Sequence, residues 1–307
     1  MSDPNRRRAM ALALLVTVLW SSSWILIRWG LDDHGLRPLG FAGLRYGLAA
    51  LVVTGWVAAR PTLRKAASHL DLREVATLGG LGVIFYSLTQ GAQFVAIDSQ
   101  PAATTSLVLS ATPLLVSVAS RRLLGEPPTG RQIVGSVLIA GGALAYFAGD
   151  LGFTAVGMAA ALVALGSNAT AALLGRSVNR ALSLPPEVVT AVSMGIGALI
   201  LIGAGLAVEG LPRLDPAGWA IVVWLAVVNT AAAFTMWNWS LRHLTATASA
   251  GINNTMLIQI ALLAWLFLAE RPGPIQWTGM AVVSFGVLLA QSSGSSSRLF
   301  VGSRRDI

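Results

Sequence analysis

The sequence predicts an all-α membrane protein of ten transmembrane helices, arranged as two inverted five-helix repeats around a central cavity. Three observations predict it: the apolar composition, the alternation of basic residues between the segments that join the apolar runs, and a match of the chain to itself at a fixed offset. Of the 307 residues, 55% are apolar and only 11% charged, less than half of the roughly one quarter usual in a globular domain. That little polar surface cannot cover a core of this size in water, so lipid must face much of it.

A helix needs about 20 apolar residues to cross a hydrocarbon layer of about 30 Å, where only helices and closed barrels satisfy every backbone group. Long unbroken apolar runs select helices. The first span, about 9–30, follows Arg6-Arg7-Arg8 as a signal peptide would, but the apolar run resumes after Ser21-Ser22-Ser23 with Trp24-Ile25-Leu26-Ile27. Its full length is that of a span, and it reads as an uncleaved helix. The others run over about 39–59, 74–97, 101–121, 131–149, 154–178, 185–208, 215–241, 246–269 and 274–291. Prolines punctuate the joints at Arg37-Pro38, Arg60-Pro61, Gln100-Pro101, Glu126-Pro127-Pro128, Pro185-Pro186, Leu211-Pro212 and Arg271-Pro272-Gly273-Pro274. Residues 1–8 form an N-terminal tail, and 292–307, Ser/Gly-rich at the start, a flexible C-terminal one.

Lys and Arg should concentrate on the cytoplasmic side of alternate loops. With the N-terminus inside, sixteen of the 21 basic residues lie in inside segments and three, Arg37, Arg213 and Arg271, outside; Arg28 and Arg45 fall within spans. Both termini are therefore expected in the cytoplasm. A shift of 144 residues then superimposes Glu126 on Glu270, Pro128 on Pro272, Gln132 on Gln276, Gly135 on Gly279, Gly142 on Gly286 and Leu144 on Leu288 without a gap. Five spans per copy is an odd number, so the second copy (154–291) enters the membrane from the side opposite to the first (9–149). Inverted repeats of this kind characterise transporters, with the substrate near the midplane between the halves.

The chain resembles the drug/metabolite transporter superfamily, in particular its EamA-type members. The residues that carry the resemblance are Trp20-Ser21-Ser22-Ser23-Trp24, Arg45, Pro113 with Leu124-Gly125-Glu126, and Leu268-Ala269-Glu270 with Gly279. It extends over about residues 9–290, and the aromatic-rich spans are most similar to the YddG-type exporters of aromatic amino acids. The resemblance implies a ten-helix secondary transporter of a bacterial inner membrane, working outward on aromatic and other amino acids. Other small solutes such as nucleosides or drugs are the alternative cargo, and a polytopic protein without transport the alternative class. One departure stands out: Leu257 occupies the place of Pro113 in the second copy, so only the first copy is expected to break there.

Polar groups inside a bilayer are costly and turn towards a cavity or another helix. Tyr86, Gln90 and Gln93 share one helical face; Asn229, Trp237 and Asn238 lie on the eighth span, Asn253, Asn254 and Gln259 on the ninth, Ser22, Ser23 and Trp24 on the first, and Ser167 and Asn168 on the sixth. Substrate binding is expected from Ser22, Trp24, Tyr86, Gln90, Asn168, Trp237, Asn238, Asn253 and Asn254, against the alternative that each amide only bridges helices. Pro113, mid-span, leaves the carbonyl of Leu109 without its helical donor and suggests a gate, unless a nearby hydroxyl repairs the kink. Arg45 either snorkels or attracts a substrate carboxylate at the outer mouth. Glu126 and Glu270, beside prolines, are read as structural.

Several classes are excluded. The net charge of +8 and pI near 11.3 come from basic residues scattered between apolar runs, which is no nucleic-acid groove. Cys 0 excludes a thiolate site or disulfide, and three scattered histidines make no metal cluster. No cofactor is implied, and no nucleophile elbow, P-loop or H-E-x-x-H motif argues for an enzyme. All 13 acidic residues lie in tails, loops or span ends, which argues against a buried carboxylate proton relay and slightly for facilitated diffusion, with Asp98 and His243 left as the groups for proton coupling. The partners expected are the bilayer and a small-molecule cargo, with the protein a monomer or a homodimer.

Overall fold

The computed structural model describes residues 4–34, 36–100, 102–125, 127–147, 153–267 and 273–291. All regular structure among them is helical. The first half holds α1 (Pro4–Asp33), α2 (Pro38–Ala59) and a short amphipathic α3 (Pro61–Ser68). A composite stretch follows, in which α4 (Leu72–Gly82) passes through a π-helical turn (Val83–Leu88) into α5 (Thr89–Ser99). Then come α6 (Ala102–Ser110), α7 (Thr112–Leu124) and α8 (Gly130–Phe147). The second half repeats the plan with α9 (Ala155–Ala181) and α10 (Pro186–Glu209). Next is α11 (Pro216–Ala226), a π turn (Val227–Ala232) and α12 (Ala233–Leu241), then α13 (Ala246–Asn253), α14 (Met256–Phe267) and α15 (Pro274–Gln291). Among the described residues, seven helical segments are long and apolar enough to cross a membrane by themselves. Three of the seven run through a π turn or through the break at Ala111, and shorter helices make up the remainder.

Local chemistry sets the helix starts. Proline opens α2, α3, α10, α11 and α15, where the missing N–H has no helical acceptor to lose. Asp71 and Glu74 form a reciprocal capping box at α4, while Thr154, Asp215 and Thr245 accept from the third residue of their helices. The large apolar residues on the outside, such as Leu51, Val118, Leu199 and Leu288, are more than two-thirds exposed, as a lipid-facing surface requires.

The irregularities of the helices recur in the two halves at the same 144-residue offset. The π turns begin at Val83 and Val227, and the breaks between α6 and α7 and between α13 and α14 fall at Ala111 and at Asn254–Thr255. The second break corrects the expectation drawn from Leu257. Without a proline, the Thr255 hydroxyl bonds the Ile252 carbonyl at 2.7 Å and Asn254 Nδ2 reaches across to the Ser110 carbonyl at 3.0 Å, so side chains compete with the helical ladder. Ser110 and Asn254 are themselves repeat counterparts and meet where the halves join.

Packing follows the same symmetry. Helix α2 lies on α10, its counterpart, and α8 on α15; α1 touches α12, α13 and α14 much as α9 touches α5, α6 and α7. In the α8–α15 pair, Gly135 faces Gly286 and Gly142 faces Gly279, so the two helices run antiparallel. A Cβ at Gly135 would lie 2.5 Å from the Gly286 carbonyl oxygen, and one at Gly142 2.7 Å from that of Gly279. Backbones this close admit only glycine.

Candidate functional site

Six aromatic rings fill the middle of the bundle. Phe234 of α12 touches Trp20 of α1 (centroids 4.8 Å apart), Phe85 (5.3 Å), Tyr86 (5.0 Å) and Tyr46 of α2 (6.0 Å), and Trp237 stacks on Trp20 at 5.1 Å. The tilted and edge-on geometries are those that ring quadrupoles favour. Trp20 Nε1 is buried with no hydrogen-bond partner among the described residues, and the Tyr86 hydroxyl lies beside Ser193 and Asn238.

A polar pole adjoins the rings. Arg45, 5% exposed, donates from Nε to Thr230 Oγ1 at 2.7 Å and from Nη2 to Ser23 Oγ and the Asn229 carbonyl, both at a long 3.5 Å. Its guanidinium also lies 5.4 Å from the Tyr46 ring centroid. The π turn brings Asn229 and Thr230 here together, because widening the helix puts consecutive residues onto one buried face. Asn229 Nδ2 donates to the Leu19 carbonyl and to Ser22 Oγ and Ser23 Oγ at 3.1 and 3.0 Å, whereas its Oδ1 is buried without a donor among the described residues. The Leu19 carbonyl can only accept, which fixes the orientation of this amide.

Asn238 lies beside the Tyr86 hydroxyl at the edge of the rings and bridges helices there, accepting from Asn179 Nδ2 at 2.9 Å and donating to Thr190 Oγ1 at 2.8 Å. The other expected site residues disperse. Gln90 and Asn168 are half-buried. Asn253 Oδ1 is buried without a partner among the described residues, and Asn254 spans the junction between the halves. Tyr86, Trp237 and Ser22 belong to the central assembly; helix α1 places Trp24 next to it in sequence, although its side chain lies outside the described residues, as do Glu126 and Glu270. Pro113 is buried near the start of α7, and the Leu109 carbonyl expected to be free accepts the Thr112 hydroxyl at 2.6 Å. The kink is thus locally repaired.

Arg45 is the main correction. Expected to snorkel or to line an outer mouth, it is buried inside the bundle, where Thr230 Oγ1 and Ser23 Oγ accept from it. Sequence reading also passed over Trp20, Tyr46, Phe85, Phe234 and Thr230. A signal existed: the 144-residue shift sets Phe85-Tyr86 against Asn229-Thr230, marking these pairs as equivalent positions of the two copies.

One end of the bundle is clamped between the halves. The Glu209 carboxylate at the end of α10 accepts the first free amides of α2, from Leu39 at 2.9 Å and Gly40 at 2.6 Å, and Arg37 donates to the Glu209 carbonyl. His34 Nδ1 and Asp215 Oδ2 lie 2.9 Å apart. The backbone N–H of Gly218, and then His34, hold the Asp215 carboxyl below its ordinary value.

Two related halves, a lipid-facing apolar surface and a buried cation beside amides and rings define a polytopic membrane protein with a polar centre. The chain belongs to the EamA-like transporter family, which it matches over residues 7–148 and again over 156–291. It is 28% identical to a probable terminal-alkyne amino-acid exporter of Streptantibioticus cattleyicolor, over 97% of this chain and 96% of that one. It is 27% identical to a probable amino-acid metabolite efflux pump of Escherichia coli, over 92% and 94%. A crystal structure superimposes with a TM-score of 0.77 at 20% identity, covering 92% of this chain and 98% of the other.

Proposed function

We propose that this protein exports small metabolites of the amino-acid class across a bacterial inner membrane, by alternating access of ten helices arranged as two inverted five-helix halves. The observation that carries the reading is the central assembly: a buried cation and an amide oxygen without a donor, next to a cluster of rings. An amino acid with a large apolar side chain has the same division into a charged head and an apolar body. The names of the two exporter relatives agree with it, and the repeated breaks and π turns supply bendable points in both halves. The rings lie within the bundle rather than in an interfacial belt, which favours aromatic cargo. Arg45, Ser22, Tyr86 and Trp237 are the residues proposed to meet the cargo, and Pro113 to shape a moving helix.

The test is efflux of radiolabelled amino acids from proteoliposomes. Phenylalanine and tryptophan should leave faster than from protein-free vesicles, and threonine more slowly than either. Stacking on one ring contributes about 0.5–1.5 kcal/mol, so Trp237→Ala should reduce phenylalanine efflux several-fold relative to threonine. An unchanged ratio in a stable Trp237→Ala protein would place the apolar pocket elsewhere, and no efflux of any amino acid would overturn the reading.

A further inference from the structure

The guanidinium of Arg45 is a buried charge without an acidic partner: among the described residues no carboxylate approaches within ion-pair distance. Burying a lone ion in a bundle is expensive, and neutral acceptors offset it only in part. Of its five N–H groups, one makes a short bond, Nη2 makes two long ones, and Nη1 has no partner among the described residues. The Nη1–Nη2 edge is the one that a carboxylate engages with two parallel bonds. Immediately beside it, Ser23 Oγ accepts from both Arg45 Nη2 and Asn229 Nδ2, and the Asn229 amide is held by its nitrogen with Oδ1 left over. A buried oxygen without a donor costs about 1–3 kcal/mol. One pole therefore offers an unfilled anion edge and an unfilled acceptor.

We propose that these two groups read the cargo's head: its carboxylate pairs with Arg45 and its ammonium donates to Asn229 Oδ1, which leaves the side chain against Phe234 and Trp237. The proposal rests on the reading of the cargo as an amino acid. It adds that a free carboxylate and a free amine are both required, so that esters, amides, N-acylated amino acids and simple amines are rejected whatever their side chain. It also distinguishes Arg45 from an arginine that merely bridges α2 to α1 and to the π turn before α12, for which cargo chemistry would be irrelevant.

Binding of radiolabelled phenylalanine to the purified protein, competed by phenylalanine methyl ester, N-acetylphenylalanine and phenethylamine, separates the alternatives. Removing one partner of a buried charge pair costs more than about tenfold in affinity, so each analogue should compete at least that much more weakly than phenylalanine itself. Asn229→Asp is the second arm. It places an internal carboxylate near Arg45 but sets one of its oxygens against the Leu19 carbonyl, so thermal stability should fall, and the protein that still folds should bind phenylalanine at least about tenfold more weakly. Arg45→Gln should reduce phenylalanine binding to the level of the methyl ester. If the wild type binds phenylalanine but the ester or the N-acetyl compound competes equally, the head-group assignment is overturned and the exporter reading stands. Full binding by a folded Asn229→Asp protein overturns it as well. If the wild type binds no amino acid, the functional reading itself has failed.

Discussion

Single residues shape both the break at the start of α7 and the clamp between the halves. Pro113 leaves a carbonyl that Thr112 fills at 2.6 Å, so Pro113→Ala loses no buried bond and gains a competing N–H. Thermal stability should hold or rise while efflux falls several-fold; wild-type flux would show that the kink is passive. Asp215 carries a pH signature. Its carboxyl titrates below the ordinary 3.8, held there first by the Gly218 N–H and then by His34. The stabilisation is complete above 3.8 and drains away as pH falls through the lower folded-state value. Asp215→Asn keeps an oxygen for the cap but no charge. Melting curves from about pH 7 to about pH 3 should therefore show a wild-type advantage that is constant at the neutral end and shrinks below 3.8, and an advantage independent of pH would rule out the ionised carboxylate as its source.

At the scale of elements, the α8–α15 seam is the most constrained contact. Adding a methyl at Gly135 places carbon 2.5 Å from a carbonyl oxygen of the partner helix, whereas a Cβ at the neighbouring Gly141 meets nothing within 4 Å. Overpacking of this kind costs about 1–3 kcal/mol. Gly135→Ala should lower the melting temperature of the detergent-solubilised protein measurably, with Gly141→Ala indistinguishable from wild type or slightly more stable through its better helix propensity. Equal effects would mean that the seam yields more easily than its geometry implies. The paired π turns belong to this scale too. One turns Tyr86 towards the rings and the other turns Asn229 and Thr230 towards Arg45, so corresponding elements supply an apolar wall and a polar pole.

For the whole molecule, orientation is the testable quantity. The bias of basic residues places the segment containing Ser68 inside and the one containing Asp150 outside. Because the chain has no cysteine, single cysteines at these positions can be labelled without background. Impermeant maleimide on intact cells should modify Asp150→Cys and spare Ser68→Cys. The reverse pattern would invert the protein in the membrane, and equal labelling would break the alternation on which the repeat argument depends.

Composition and spacing by themselves determined the helical membrane class, the proline-marked joints and the 144-residue kinship of the halves, because these follow from one-dimensional quantities: apolar run length, breaker positions and offset identities. The glycine pairs were legible for the same reason, as Gly135, Gly142, Gly279 and Gly286 recur at the repeat offset. What only the tertiary structure decided is where polar groups point. Helical periodicity put Tyr86, Gln90 and Gln93 on one face, but the π turn at Val83–Leu88 winds at a different pitch and shifts that register. Nothing local in the sequence distinguishes Asn229, whose oxygen lacks a donor, from Asn238, bonded on both sides, since the distinction lies in residues from other helices. Arg45 shows the same limit: six residues into a predicted span, an arginine can snorkel or turn inward, and the choice fell to Thr230, 185 positions further along the chain.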